Sequence, residues 1–432
     1  MAKVPPVKGT RDFYPEQMNV RNWIFDGWRS VSRRNGFVEY DSPIFEYLQL
    51  YTQKSGEEIA GQLFSLTDRG GRDLAIRPET TPALARMVNQ KINSLARPIK
   101  WFSISRLCRA ERPQKGRLRE FFQWNIDIIG SDSEYADADC IYTAVDYLRS
   151  VGLTSGDIVV KISSRSMLAE LLKSQGFAED QLATVYTLLD KRPKLPEDTF
   201  TALAEEQIPD TQLREKLMQI AGIATIDELM AFAPDSVRDS VEPLERVFSL
   251  LDNMGVGEYC TFDINIVRGL AYYTGIVFEI FDRNAQLRAV GGGGRYDNLL
   301  AGMGGQQVAA TGFGMGDVVL EILLQEKNII PQIQSGIDVF VIEAAPNSES
   351  EAKLLQIVNA LRSKGITAVF DYRRVGLGKQ LKQASTLKAR FALIVGEETL
   401  EQERITLKNM NQGSQIEIPL TDFLTQPERY LS

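Results

Sequence analysis

The 432-residue sequence contains no histidine. That absence removes Ser-His-Asp hydrolysis, Cys-His nucleophilic chemistry, histidine-ligated zinc and histidine general-base catalysis together. Any chemistry must use arginine, lysine, carboxylates, tyrosine, backbone amides or a metal-bound substrate. Cysteine is nearly as scarce. Cys108, Cys140 and Cys260 are odd in number and form no C-x-x-C pair, which argues against a disulfide framework and a zinc ribbon, and each reads as a buried thiol. No apolar run approaches the roughly 20 residues needed to cross a bilayer. The first residues, MAKVPPVKGTRDFYPEQ, lack the apolar core of a secretory signal, so the expectation is an untargeted cytoplasmic protein without membrane contact. Positive charge is also short: the formal net charge of -8 excludes a polycation that coats nucleic acid through overall charge. Any anionic ligand must be met by local clusters.

What is present is globular. With 44% hydrophobic and 25% charged residues, the chain suits a soluble protein of two or three domains. Val20, Trp23, Ile24, Trp28 and Val31 recur at helical spacing, with Gly36 as the stop. The stretch FVEYDSPIFEY, broken by Pro43, suits an edge or bent strand. LFSLTD, DLAIRPE, IKWFSISRLCRAE and FFQWNIDIIG then predict an antiparallel sheet. From about 165 to 250 the pattern is amphipathic helix alone, a helical insertion. Strand-like segments return in CTFDINIVRG, YYTGIVFEIFD and RAVGGGGRYD, followed by the helix-compatible GDVVLEILLQEK. A linker at about 326–335 separates this 1–325 region from a 336–432 region whose strand-helix alternation predicts a parallel α/β domain. The expected class is α+β.

Three segments could carry chemistry. Arg109, Arg112, Lys115, Arg117 and Arg119 fall within eleven residues, immediately before Phe121, Phe122, Trp124 and Ile126. If the flanks are paired strands, Arg109 and Gln123 rise from rigid sheet while residues 112–119 form the connecting loop. Rigid guanidinium forks suit a polyphosphate, and a basic loop suits a nucleic-acid backbone. The alternative is an ordinary solvated loop. IVRGLAYYTG places Arg268 beside Tyr272 and Tyr273, either packed on an aromatic face or set to neutralise charge at phosphorus. GGGGRYDNL permits close approach to a ligand but is not a dinucleotide fingerprint.

KGTRDFYPEQ (8–17), IRPETT (76–81), RAERPQKGRLREF (109–121), VRGLAYY (267–273) and GGGGRYDNL (291–299) occur in the order and spacing that resembles the histidyl-tRNA synthetases, which are class II aminoacyl-tRNA synthetases. The resemblance covers essentially the whole chain. It implies a class II catalytic domain built on an antiparallel sheet, with the helical insertion and a C-terminal α/β anticodon-binding domain. It further implies a homodimer joined near Pro43, and ATP-dependent attachment of L-histidine to histidine tRNA through a histidyl-adenylate, with Mg2+ accompanying ATP and no metal site built from protein histidine or cysteine. By the family pattern Arg109, Glu111, Arg117 and Phe121 hold ATP, and Arg109 and Arg268 stabilise the reacting phosphate. Glu79 and Thr81 meet the substrate ammonium group, and Gln123, Asp127, Tyr272, Tyr273 and Tyr296 complete the histidine pocket. Arg112 and Gln114 contact the tRNA acceptor end.

Four positions depart from that pattern. Ala271 stands where aspartate is common, and Asp127 where glutamate is usual. Val318 and Val319 replace the Glu-Arg pair of the third motif, whose arginine packs on adenine and reaches the outer phosphate. Another cation must substitute, and Arg112 and Arg295 are the candidates. These departures leave a second reading open, a non-catalytic synthetase-like regulator that senses histidine. Retention of Arg109, Glu111, Arg117, Gln123 and Arg268 favours the enzyme. So does the C-terminal region, where Arg373, Arg374, Lys379, Lys382 and Lys388 could supply phosphate contacts.

Overall fold

The structure, a computed structural model, describes residues 4–52, 61–192, 195–268, 272–284, 286–332 and 336–431. Ala271 and residues 333–335 of the expected linker lie outside the described residues. The chain divides into two compact units, Met1–Ile330 and Pro331–Ser432.

The first unit is organised on an eight-stranded sheet. Its strands in chain order are β1 (Val38–Glu39), then, after a separate group of three, β5 (Ile99–Cys108), β6 (Glu120–Ile129), β7 (Ile158–Ser164), β8 (Cys260–Phe262), β9 (Ile276–Asp282), β10 (Gly291–Arg295) and β11 (Ala310–Gly316). The group of three, β2 (Phe45–Tyr47), β3 (Phe64–Thr67) and β4 (Asp73–Ile76), forms a small antiparallel sheet in the order β2-β4-β3. The large sheet runs β1-β5-β6-β11-β10-β9-β7-β8 and is antiparallel at its centre, with parallel pairings of β1 to β5 and β7 to β8 at its two edges. Pro43 falls between β1 and β2, so the FVEYDSPIFEY stretch is split into two short strands, consistent with the lost backbone donor. CTFDINIVRG yields only the three residues of β8.

β5 and β6 pair along their full length, from Ile99 opposite Ile129 to Cys108 opposite Glu120. Alternation along β6 divides its side chains. Phe122, Trp124, Ile126 and Ile128 are buried in the main core, while Phe121, Gln123, Asn125 and Asp127 take the opposite face. The core face is covered by the helices Pro15–Arg34 and Glu134–Ser150. The first opens with proline, carries Glu16 in its first turn and Arg33 and Arg34 in its last, and buries Ile24, Phe25, Trp28 and Val31. Trp28 stacks on Trp124 with ring centroids 6.0 Å apart. Among the described residues, six α-helices from Arg165–Ser174 to Asp235–Asn253 form the insertion and share this core.

The second unit carries a five-stranded sheet. Its strands β12 (Val339–Glu343), β13 (Ala368–Phe370) and β14 (Phe391–Val395) are parallel in the order β13-β12-β14. Two antiparallel strands, β15 (Arg404–Asn409) and β16 (Gln415–Pro419), extend it. The sheet is therefore mixed rather than purely parallel as expected. ITLK and QIEI alternate, but a hairpin following three crossover-linked strands leaves no mark in the earlier rhythm.

Candidate active site

The face of the large sheet opposite the helices holds two adjoining cavities of about 230 and 210 Å³. Arg109, Arg117, Gln123, Arg268, Gly292 and Gly314 line both. Arg109 and Arg268, far apart in the chain, thus meet where the cavities join.

The first cavity also takes Glu111, Phe121, Glu279, Arg288, Val318 and Val319. The β5–β6 connection closes back on itself, because the Arg109 amide donates to the Arg119 carbonyl at 2.8 Å and the Gln114 and Arg117 backbones bond reciprocally. Gly116, at φ 75°, makes that tight turn possible. Arg109 donates from Nε to the Pro78 carbonyl at 3.0 Å and lies 5.2 Å over the Phe121 ring. Arg117 pairs with Glu111. Arg112 and Gln114 are exposed on the loop.

Arg268 pairs with Glu279 at 3.1 Å and lies 5.7 Å over the Tyr273 ring. Burial works against its charge, but Tyr273 and Glu279 outweigh that cost and raise its pKa. Its backbone is left-handed, at φ 55°, a strain of about 1–3 kcal/mol for a non-glycine residue that is characteristic of functional positions. Gly292 explains how the guanidinium fits: a Cβ there would stand 2.0 Å from Arg268 Nη1 and 2.6 Å from the Phe278 carbonyl.

The second cavity takes Glu79, Thr81, Asp127, Tyr272, Tyr273 and Tyr296. Tyr272 donates to Glu79 at 3.3 Å. Tyr296 donates to Asp127 at 2.5 Å. Burial pushes the Asp127 carboxyl up to about 7, against the lowering effect of the Tyr296 hydroxyl. The three tyrosine rings pack together, Tyr272 with Tyr273 at 5.0 Å and with Tyr296 at 5.9 Å.

The structure therefore gathers Glu79, Thr81, Arg109, Glu111, Arg117, Phe121, Gln123, Asp127, Arg268, Tyr272, Tyr273 and Tyr296 into one cleft. It does not bring Arg295 there. That guanidinium is buried and committed to Asp137, at 2.6 Å, and to the Ser131 and Ser133 carbonyls. Arg112 lines neither cavity. Both candidates for the missing third-motif arginine are corrected on this ground: one is held behind the sheet, the other faces solvent.

Sequence reasoning missed Glu279 and Arg288. Glu279 had a signal, as the lone carboxylate inside the apolar strand IVFEIF, whereas Arg288 sits among loop residues with no pattern to single it out.

A family model described as histidyl-tRNA synthetase matches residues 9–317, and one described as anticodon binding domain matches residues 338–426. The chain belongs to the histidyl-tRNA synthetase family. The histidine--tRNA ligase of Arabidopsis thaliana described as chloroplastic/mitochondrial is 41% identical across 97% of this chain and 86% of its own. That of Opitutus terrae is 39% identical across 97% of both. The solved histidyl-tRNA synthetase of Nostoc sp. PCC 7120 shares the fold over the whole of both chains, with a TM-score of 0.82 at 23% identity. The α+β, class II architecture of the histidyl-tRNA synthetases is thus the architecture of this chain.

Proposed function

We propose that this synthetase joins L-histidine to histidine tRNA at the expense of ATP, through a histidyl-adenylate. The observation that carries the reading is the convergence of Arg109 and Arg268 where the two cavities meet. The first cavity is assigned to ATP, held by Arg109, Glu111, Arg117 and Phe121. The second is assigned to histidine. There Glu79, with Thr81, takes the ammonium group, and Asp127 accepts a ring N–H, with Gln123, Tyr272, Tyr273 and Tyr296 around it.

In that arrangement the histidine carboxylate, already ionised, attacks the α-phosphorus. The bond to the β-phosphate oxygen breaks and pyrophosphate leaves. Negative charge grows on the α-phosphate oxygens between Arg109 and Arg268, which neutralise it without any protein proton transfer. In the second step a ribose hydroxyl at the tRNA 3′ end attacks the activated carbonyl and AMP leaves. Among the described residues no cluster of three or more cysteine or acidic side chains converges as a metal cage. Mg2+ is assigned to the nucleotide phosphates, its usual ligands.

Arg112 and Gln114 are assigned to the tRNA acceptor end, supported by their exposure on the loop beside the cleft. The exposed Arg373, Arg374, Lys379, Lys382 and Lys388 of the second unit are assigned to tRNA phosphates. Two of these also serve their own domain, Arg373 pairing with Asp371 and Arg374 with Glu343. A homodimer is supported by the small sheet, which exposes Ile44, Phe45, Tyr47 and Leu66 in one apolar patch beside Pro43. Among the described residues no helix is long and apolar enough to cross a membrane, and a cytoplasmic location is part of the proposal. The regulatory alternative is not favoured, since the curated relatives are named as ligases over nearly the full chain.

The test is histidine-dependent exchange of pyrophosphate into ATP by the purified protein. Robust exchange in the parent, reduced by about 10²–10³ in Arg268→Ala, is expected. Histidine binding without exchange would select the regulator.

A further inference from the structure

We propose that Arg288 is a nucleotide-binding residue that supplies the cation that Val319 does not. The inference rests on the assignment of the first cavity to ATP. Val318 and Val319 line that cavity, and so does Arg288. The strand register explains their meeting. Gly291 pairs with Met315, and the Gly316 amide donates to the Val290 carbonyl at 3.3 Å. That bond ties the connection that carries Arg288 to the start of the helix Asp317–Glu326, which carries Val318 and Val319. Arg288 and Val290 line the cavity together with Gly292, the glycine over which Arg268 lies.

The other cations of the cavity are committed. Arg109 bonds the Pro78 carbonyl and lies over Phe121, Arg117 pairs with Glu111, and Arg268 pairs with Glu279. Arg288 is exposed, and among the described residues it has no ion-pair partner. It can therefore offer its planar fork to a ligand without first breaking a contact, and a fork suits phosphate oxygens. With Arg288 the cavity is lined by four arginines against two carboxylates, the net positive lining that a triphosphate requires. Val318 and Val319 add no charge of their own to that lining.

The experiment measures MgATP binding by calorimetry and, separately, pyrophosphate exchange, in the parent, Arg288→Lys, Arg288→Ala and Arg288→Ala/Val319→Arg proteins. Arg288→Ala is expected to weaken MgATP binding and raise the KM for ATP by about tenfold to a hundredfold, with the KM for histidine unchanged. Arg288→Lys should fall between it and the parent, since it keeps the charge and loses the fork. The double variant should recover ATP affinity, and the lysine variant keeps the test standing if the double variant does not fold. Unchanged MgATP affinity in Arg288→Ala overturns the proposal, as does an equal rise in both KM values, which marks a structural role. A parent that binds MgATP without exchange overturns the ligase reading instead and leaves the Arg288 comparison intact.

Discussion

Asp127 combines full burial with a hydrogen bond from Tyr296, and burial lifts its carboxyl to about 7. As an acceptor for an imidazole N–H it works best when ionised, so histidine affinity should strengthen as pH rises through about 7. Calorimetric titration between pH 5.5 and 8.5 checks this. Asp127→Asn should leave only the slope set by the ligand's own titration, near pH 6.5 for a free imidazole. Stability follows the opposite sense. The folded carboxyl titrates above its unfolded value of about 3.9, so its contribution is fully present below that value and is lost as pH rises through about 7. Asp127→Asn should therefore gain in unfolding free energy relative to the parent at pH 8 compared with pH 5, read by denaturant melts. At Gly292 the constraint is steric. Gly292→Ala drives a Cβ into Arg268 Nη1, and a fall in kcat of about 10²–10³ is expected, with a stability cost of about 1–3 kcal/mol from the Phe278 carbonyl.

On the proposed assignment, the β5–β6 hairpin joins the nucleotide, amino-acid and tRNA sites. Its β6 strand aims Phe121, Gln123 and Asp127 into the cleft while Trp124, on the other face, is buried against Trp28 and Phe313. Trp124→Ala should cost about 3–5 kcal/mol in denaturant unfolding. The loop can be separated from the strands. Arg112→Ala is expected to leave pyrophosphate exchange at the parental rate and to lower tRNA charging about tenfold, a loss of about 1.4 kcal/mol of tRNA contact. Equal loss in both assays would place Arg112 in the ATP site, against the geometry. The alternation that divides β6 was legible in FFQWNIDIIG, as was the pairing with WFSISRLC. The β15–β16 hairpin was not, because short half-exposed strands are fixed by the sheet edge they join rather than by their own pattern.

At the scale of the molecule, each unit has its own hydrophobic clusters. Residues from Ile24 to Leu324 make two, and residues from Val339 to Leu431 make two more. Removal of Pro331–Ser432 should therefore leave a folded protein that retains exchange and loses most tRNA charging. On the small sheet Ile44, Phe45 and Tyr47 are 55, 60 and 57% exposed, so if the proposed homodimer forms through this patch, Phe45→Asp should shift sedimentation from dimer to monomer. The sequence by itself determined the classes of chemistry that were excluded, the helical insertion, the central strands and most of the cleft. Those properties reside in residue type and local period. Tertiary structure alone decided which arginines face the cleft. Arg295 directly follows the glycine run 291–294, of which Gly291 and Gly292 line the cleft, yet its side chain turns to Asp137, while Glu279 reaches the cleft from β9 and Arg288 from the connection between β9 and β10. Which way a charged side chain points depends on the strand paired beside it and on the carboxylate buried within its reach, and both are set by partners distant in the chain.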